Sequence, residues 1–175
     1  MLDTLVSSKT KIKLLLKFFL NASNTAYLRN LESEFGESTN AIRIELNRFE
    51  ESGLLNSYYD RNRKIFKANT LHPLYPEINS ILRKYIGIDK IVDQIVSRLG
   101  EPGKVWLVGN FARGLDGKNI ELKIFGNVDK NYLEELIYKI ESSIYRKINI
   151  KLVDNNEKIL LESKAEPALL LWSKS

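Results

Sequence analysis

The sequence predicts an α+β fold in two parts, and three observations predict it. A 3.6-residue hydrophobic period runs through the first half and is broken there only by one short alternating, hairpin-like stretch. Prolines at 73 and 76 then punctuate the chain, because each disfavours helix in the residue before it. Beyond Gly103 the pattern changes to short apolar runs separated by one amphipathic segment, as strands and a helix require. A chain of 175 residues can bury one large core or two small ones, and the change of period favours two.

The first helix is expected over Lys9 to Asn21, capped by Ser8, with Ile12, Leu15, Leu16 and Phe19 at i, i+3, i+4, i+7 spacing. Leu14, Phe18 and Leu20 widen its apolar face. After a polar turn, Thr25 is placed to cap a second helix that carries Leu28, Leu31 and Phe35 and stops at Gly36. A third helix follows over 38–53, with Ser38 as cap and Gly53 as terminator. Its period puts Ile42, Leu46 and Phe49 on a buried stripe and Thr39, Asn40, Arg43 and Asn47 on the opposite side. Those four side chains are built to hydrogen-bond. A hairpin is expected next, Leu54 to Tyr59 and Arg63 to Asn69 about a turn at Asp60, Arg61 and Asn62, with its tip region over 58–67 carrying Arg61, Arg63 and Lys64.

Helical spacing resumes from Glu77, with Ile78, Leu82, Tyr85 and Ile86, then Ile91, Ile95, Val96 and Leu99. Glu101, Pro102 and Gly103 read as a turn. Lys104 to Val108, Ile120 to Phe125 and Lys147 to Val153 read as strands, a helix from about Asp129 to Tyr145 joins the last two, and Ile159 to Trp172 reads as a closing helix. The domain boundaries expected are 1–75 for the first unit, 76–100 for linker and dimerisation helices, and 101–175 for the α/β unit.

Composition narrows the chemistry. Cysteine is absent, which removes disulfides, zinc-thiolate sites and thiol nucleophiles and fits a reducing, cytoplasmic setting. The run Leu14 to Leu20 is cut by Lys17 and falls well short of the roughly 20 residues that span a bilayer, so no membrane partner is expected. Asp3 stands where a signal peptide would carry positive charge, so export is not expected. The net charge is +5, with 13 Lys and Arg against 9 Asp and Glu up to Gly87, and 14 against 13 thereafter. The excess sits on the half with the polar helix, as a phosphate-binding surface requires. The single histidine, His72, precedes a proline with no acid or nucleophile nearby and reads as a loop residue.

A second motif, Val-Gly-Asn-Phe-Ala-Arg-Gly at 108–114, is followed by Asn-Ile-Glu-Leu at 119–122. It resembles the minimal nucleotidyltransferase signature, in which a Gly-Ser turn and an Ala-Arg-Gly segment precede a strand bearing two alternate aspartates. That resemblance implies a turn that cradles nucleotide phosphates and carboxylates that hold magnesium. Here Asn110 replaces the serine, Asn119 and Glu121 replace the aspartates, and the third position falls near Asn149 or Lys151. An amide has no charge to offer a metal and a lysine repels one. The expectation is therefore no enzyme, no cofactor, no metal and no catalytic residues, with Gly109, Asn110, Arg113, Gly114 and Glu121 as a vestigial nucleotide site.

Three helices and a hairpin in this order are those of a winged helix-turn-helix. Ser8-Lys9-Thr10, Tyr27 to Leu31, Glu50 to Leu55, His72 to Glu77 and the Gly109–Gly114 turn together resemble prokaryotic ArsR- or MarR-like winged-helix regulators joined to a minimal nucleotidyltransferase-like domain. The resemblance implies a dimeric, sequence-specific transcriptional regulator of double-stranded DNA, open to a small-molecule or nucleotide effector. On the residues themselves, Thr39, Asn40, Arg43 and Asn47 suit the major groove, Arg61, Arg63 and Lys64 the backbone or minor groove, and Arg48, Lys9 and Lys11 flanking phosphates. Two alternatives stand beside it. One is a nucleotidyltransferase with a non-standard metal site at Asp116 and Glu121, and the other is a protein-interaction adaptor.

Overall fold

A computed structural model describes residues 2–98, 100–153 and 166–174. The chain divides into two compact units, Met1–Tyr85 and Ile86–Ser175, so the division falls within the stretch expected to link them.

Unit 1 begins with a short helix α1 (Leu2–Leu5) and α2 (Lys9–Leu15), whose cap Ser8 accepts the Lys11 amide at 3.2 Å. The single helix expected to Asn21 is instead interrupted, because Leu16–Leu20 form a π-helical turn in which every residue is buried. A π turn misaligns backbone carbonyls with their usual donors. Side-chain amides compensate: Asn24 donates to the Lys17 carbonyl at 3.0 Å, and Asn79 to those of Phe19 and Leu20 at 2.6 and 3.2 Å. The buried Lys17 ammonium is neutralised by Glu34 at 2.6 Å.

Thr25 does not cap a helix. It opens a two-residue strand, β1 (Thr25–Ala26), which pairs antiparallel with the hairpin, and α3 (Leu28–Phe35) starts after Tyr27 with no side-chain cap. Gly36, at φ 63°, ends α3 in the left-handed conformation that a residue without Cβ adopts cheaply. Next comes α4 (Thr39–Glu51), where Ser38 accepts the Ala41 amide at 3.3 Å. Ile42, Leu46 and Phe49 are buried, while Asn40, Arg43 and Asn47 are exposed and Thr39 is half-buried, which matches the period read from the sequence. The hairpin is β2 (Leu55–Asp60) and β3 (Arg63–Ala68), closed by the Asp60–Arg63 pair, and the sheet order is β1-β3-β2. Helix α5 (Tyr75–Ile86) returns to the core through its buried Leu82 and through Tyr75, whose ring lies 5.8 Å from that of Phe19.

Unit 2 contains α6 (Ile88–Arg98), β4 (Gly100–Val108), the short α7 (Gly109–Ala112), β5 (Asn119–Val128), α8 (Lys130–Ile144), β6 (Lys147–Leu152) and β7 (Leu169–Ser173). Its sheet order is β6-β5-β4-β7, with β5 and β6 parallel and the other pairs antiparallel. Val105, Leu107, Ile120, Leu122, Ile124 and Ile148 are buried from the sheet, as are Ile91 and Ile95 from α6 and Leu136 and Ile140 from α8.

Two expectations fail along β4. Glu101, Pro102 and Gly103 are not a turn, because they continue β4 against β5 and a register shift between Pro102 and Lys104 accommodates the proline, which has no N–H to give the ladder. The closing helix is also wrong at its end, since Leu169–Ser173 pair with Lys104–Leu107 as an edge strand. The earlier part of that expected helix, to residue 165, lies outside the described residues. Among the described residues no helix is long and apolar enough to cross a membrane.

Candidate functional site

In unit 1, pairing of β1 with β3 (Ala26 opposite Phe66) brings the start of α3 beside the hairpin, while the α4 cap and its buried stripe aim Arg43 and Asn47 the same way. The result is an open groove of about 660 Å³ lined by Tyr27, Leu28, Arg29, Arg43, Leu46, Asn47, Asn62, Arg63, Lys64 and Phe66. Of the residues expected to meet DNA, the structure brings Arg43, Asn47, Arg63 and Lys64 into this groove. Thr39, Asn40, Arg48 and Arg61 do not line it, although Asn40, Arg48 and Arg61 are exposed.

The cations of unit 1 fall into two groups. Lys13, Lys17 and Lys64 pair with Glu37, Glu34 and Glu50 at 2.5, 2.6 and 2.6 Å, and Lys11 and Arg48 both approach Glu45, at 3.7 and 3.3 Å. Glu50 also accepts from the Ser57 hydroxyl. The Lys64 hydrogen bond, followed by that of Ser57, holds the Glu50 carboxyl below its ordinary value against a lesser opposing effect of burial. Burial pushes Glu37 up, but the hydrogen bonds from Lys13 and Thr10 outweigh it and leave that carboxyl lowered as well. By contrast, among the described residues Arg29, Arg43 and Arg63 have no carboxylate partner. Arg63 lies instead over the Tyr27 ring at 4.9 Å. Three guanidiniums without acids on one groove make a surface for anions, with Asn47 and Asn62 adding neutral donors and acceptors.

Sequence reasoning missed Tyr27, Arg29 and Asn62 as groove residues. Asn62 was legible only as a turn, and Tyr27 and Arg29 only as part of a family pattern. What places Tyr27 and Arg29 is a two-residue strand too short to leave a periodic signal.

In unit 2 the residues of the second motif do cluster. Gly109 and Gly114 adopt φ 68° and 73°, and the Leu115 amide donates to the Asn110 carbonyl at 2.9 Å across the turn. A Cβ on Gly109 would collide with Glu121 Oε1, so the glutamate carboxylate lies directly against the glycine α-carbon. Arg113 is exposed at the end of α7. Register places Asn149 opposite Glu121 and Lys151 opposite Lys123, and neither is an acid. Asp116 accepts from the Gly117 amide and from Arg146 Nη1, each at 2.9 Å, which neutralises this loop carboxylate. Arg146 also donates to the Gly117 carbonyl and stacks on Phe111 at 5.1 Å. Among the described residues no three His, Cys, Asp or Glu side chains form a group able to hold a metal. The donors do not fit a two-magnesium centre of the kind the resemblance implies.

No protein-family model and no curated protein matches the chain. Among solved structures it is similar to two mutant forms of the toxin–antitoxin pair MntA–HpeT, each at 16% identity over 50% of this chain and 73% of the other, with a TM-score of 0.41. It is also similar to the tri-AMPylated Shewanella oneidensis HEPN toxin in complex with MNT antitoxin, at 15% identity over 49% and 69%, with a TM-score of 0.37. The expectation of no enzyme, drawn from the replaced positions Asn110, Asn119, Glu121 and Asn149 or Lys151, is withdrawn, because the solved structures similar to this chain include a tri-AMPylated toxin in complex with its antitoxin. At these scores the likeness assigns no activity, substrate or partner to this chain.

Proposed function

We propose that unit 1 is a winged helix-turn-helix that binds duplex DNA, and that the chain is a sequence-specific transcriptional regulator acting as a homodimer. The observation that carries the reading is a groove on which polar residues of α4 and basic residues of the hairpin converge, with its arginines facing no carboxylate among the described residues. Helix, strand, two helices and a hairpin, with sheet order β1-β3-β2, support it independently. In this reading α4 enters the major groove, where Arg43 suits guanine and Asn47 adenine, and Arg63 and Lys64 meet phosphates or the minor groove. Thr39, Asn40, Arg48 and Arg61 extend the contact beyond the groove. The test is binding by Arg43→Ala and Arg63→Ala variants to an enriched site and to random duplex. Arg43→Ala is expected to lose about tenfold on the site alone, and Arg63→Ala to weaken both duplexes alike and lessen salt dependence. Equal losses for both variants on every sequence would refute sequence readout.

A second reading, nucleotidyl transfer by unit 2 to a protein or small molecule, is favoured by one feature, the Glu121 carboxylate laid against the left-handed Gly109 turn. Transfer of labelled nucleotide that is abolished by Glu121→Ala would establish it. Absence of transfer to any partner co-purified with the full chain would count against it.

A further inference from the structure

Every cation of the wing is not equivalent, and the difference lies in what each side chain touches. Lys64 is bound to Glu50 and stacks on Phe66 at 5.1 Å, so part of its charge is already spent inside the molecule. Arg63, next to it, faces no carboxylate among the described residues and rests on Tyr27. A guanidinium over an aromatic face keeps all of its N–H donors at its edge, and the stack restricts a side chain that otherwise samples many rotamers. Arg29, two residues beyond Tyr27, lines the same groove from the first turn of α3, and Arg43 lines it from α4.

We propose that Tyr27 and Arg29 belong to the DNA interface: Arg29 and Arg63 form a guanidinium clamp for the phosphodiester backbone beside the base-reading Arg43 of α4, and Tyr27 is the positioning residue that holds Arg63 in it. The inference rests on the duplex reading of unit 1 and deepens it. It assigns a role to the α3 start, which neither the helix period nor the hairpin pattern marks. It also separates the two adjacent wing cations, with Arg63 preset for phosphate and Lys64 restrained by Glu50.

The experiment measures affinity of the full chain for an enriched duplex and a random duplex across a salt series. The variants are Arg29→Ala, Arg63→Ala, Tyr27→Phe, Tyr27→Ala and Tyr27→Ala/Arg63→Ala. Loss of one phosphate contact lowers the slope of log affinity against log salt by about 0.9, and Arg29→Ala is expected to do so on both duplexes. Tyr27→Ala should weaken binding about threefold, the scale of an exposed cation–π contact, while Tyr27→Phe keeps the ring and binds like the unaltered chain. In the Arg63→Ala background Tyr27→Ala should cost nothing further, which a merely structural tyrosine would not show. An unchanged slope for Arg29→Ala overturns its place in the clamp. A Tyr27→Ala loss that persists without Arg63, or a Tyr27→Phe loss equal to it, overturns the positioning role. Duplex binding that survives with either of those results refutes the clamp alone, whereas absence of duplex binding by the unaltered chain refutes the DNA reading and the clamp together.

Discussion

Glu50 ties the stability of unit 1 to the charge of its groove. Its carboxyl is lowered by Lys64 and Ser57, so the stabilisation it gives is complete above the ordinary carboxylate range and is lost as pH falls through the lowered folded value. Glu50→Gln is therefore expected to flatten the acid limb of thermal stability. At neutral pH the cost should stay below about 1 kcal/mol, since the ion pair is part-exposed. The same variant releases Lys64, so random duplex should bind about twofold tighter at low salt. Identical acid melting, or weaker duplex binding, would contradict the assignment. At this scale the sequence was legible wherever one element decides a residue's fate. The exposure of Asn40, Arg43 and Asn47 followed from the helix period, as did the burial of Ile42 and Leu46. The pairing of Lys64 with Glu50 and the stacking of Arg63 on Tyr27 depend on which strands meet, and no local period encodes that.

The elements that carry the sites make two further predictions. Leu46 is fully buried on the inner stripe of α4, so Leu46→Ala should cost unit 1 about 3 kcal/mol by calorimetry or denaturant melting, and a loss below about 1 kcal/mol would deny the stripe its role. Gly109→Ala meets two obstacles, the φ of 68° and the Glu121 carboxylate. A carboxylate at the end of a flexible side chain can swing aside, so the main cost is the backbone, about 1–2 kcal/mol. Adding Glu121→Ala should recover little of it. Full recovery would show instead that the glutamate is rigidly held. Helices with a clear stripe were readable, and so were β5 and β6. The π turn was not, because Leu16, Phe18, Phe19 and Leu20 spread apolar side chains around the helix and, with Lys17 buried as well, leave the run little phase. Strand β7 was misread because Leu-Leu-Leu-Trp suits a buried helix as well as a strand, and its partner β4 lies far off in sequence.

For the whole molecule, the division into Met1–Tyr85 and Ile86–Ser175 follows the charge, with most of the excess of +5 before Gly87. That distribution fits a chain whose first unit meets a polyanion. The α+β class and the change of character near the middle were both legible from hydrophobic period. The role of unit 2 was not, because the replacement of signature carboxylates does not say what the remaining turn does. Duplex recognition by unit 1 is tested by selection of genomic DNA with the purified full chain, followed by affinity for the enriched and scrambled duplexes at two salt concentrations. A palindromic site bound far more tightly than its scrambled form is expected, with affinity falling steeply as salt rises. Recovery of no preferred sequence, with equal affinity for both duplexes, would contradict it.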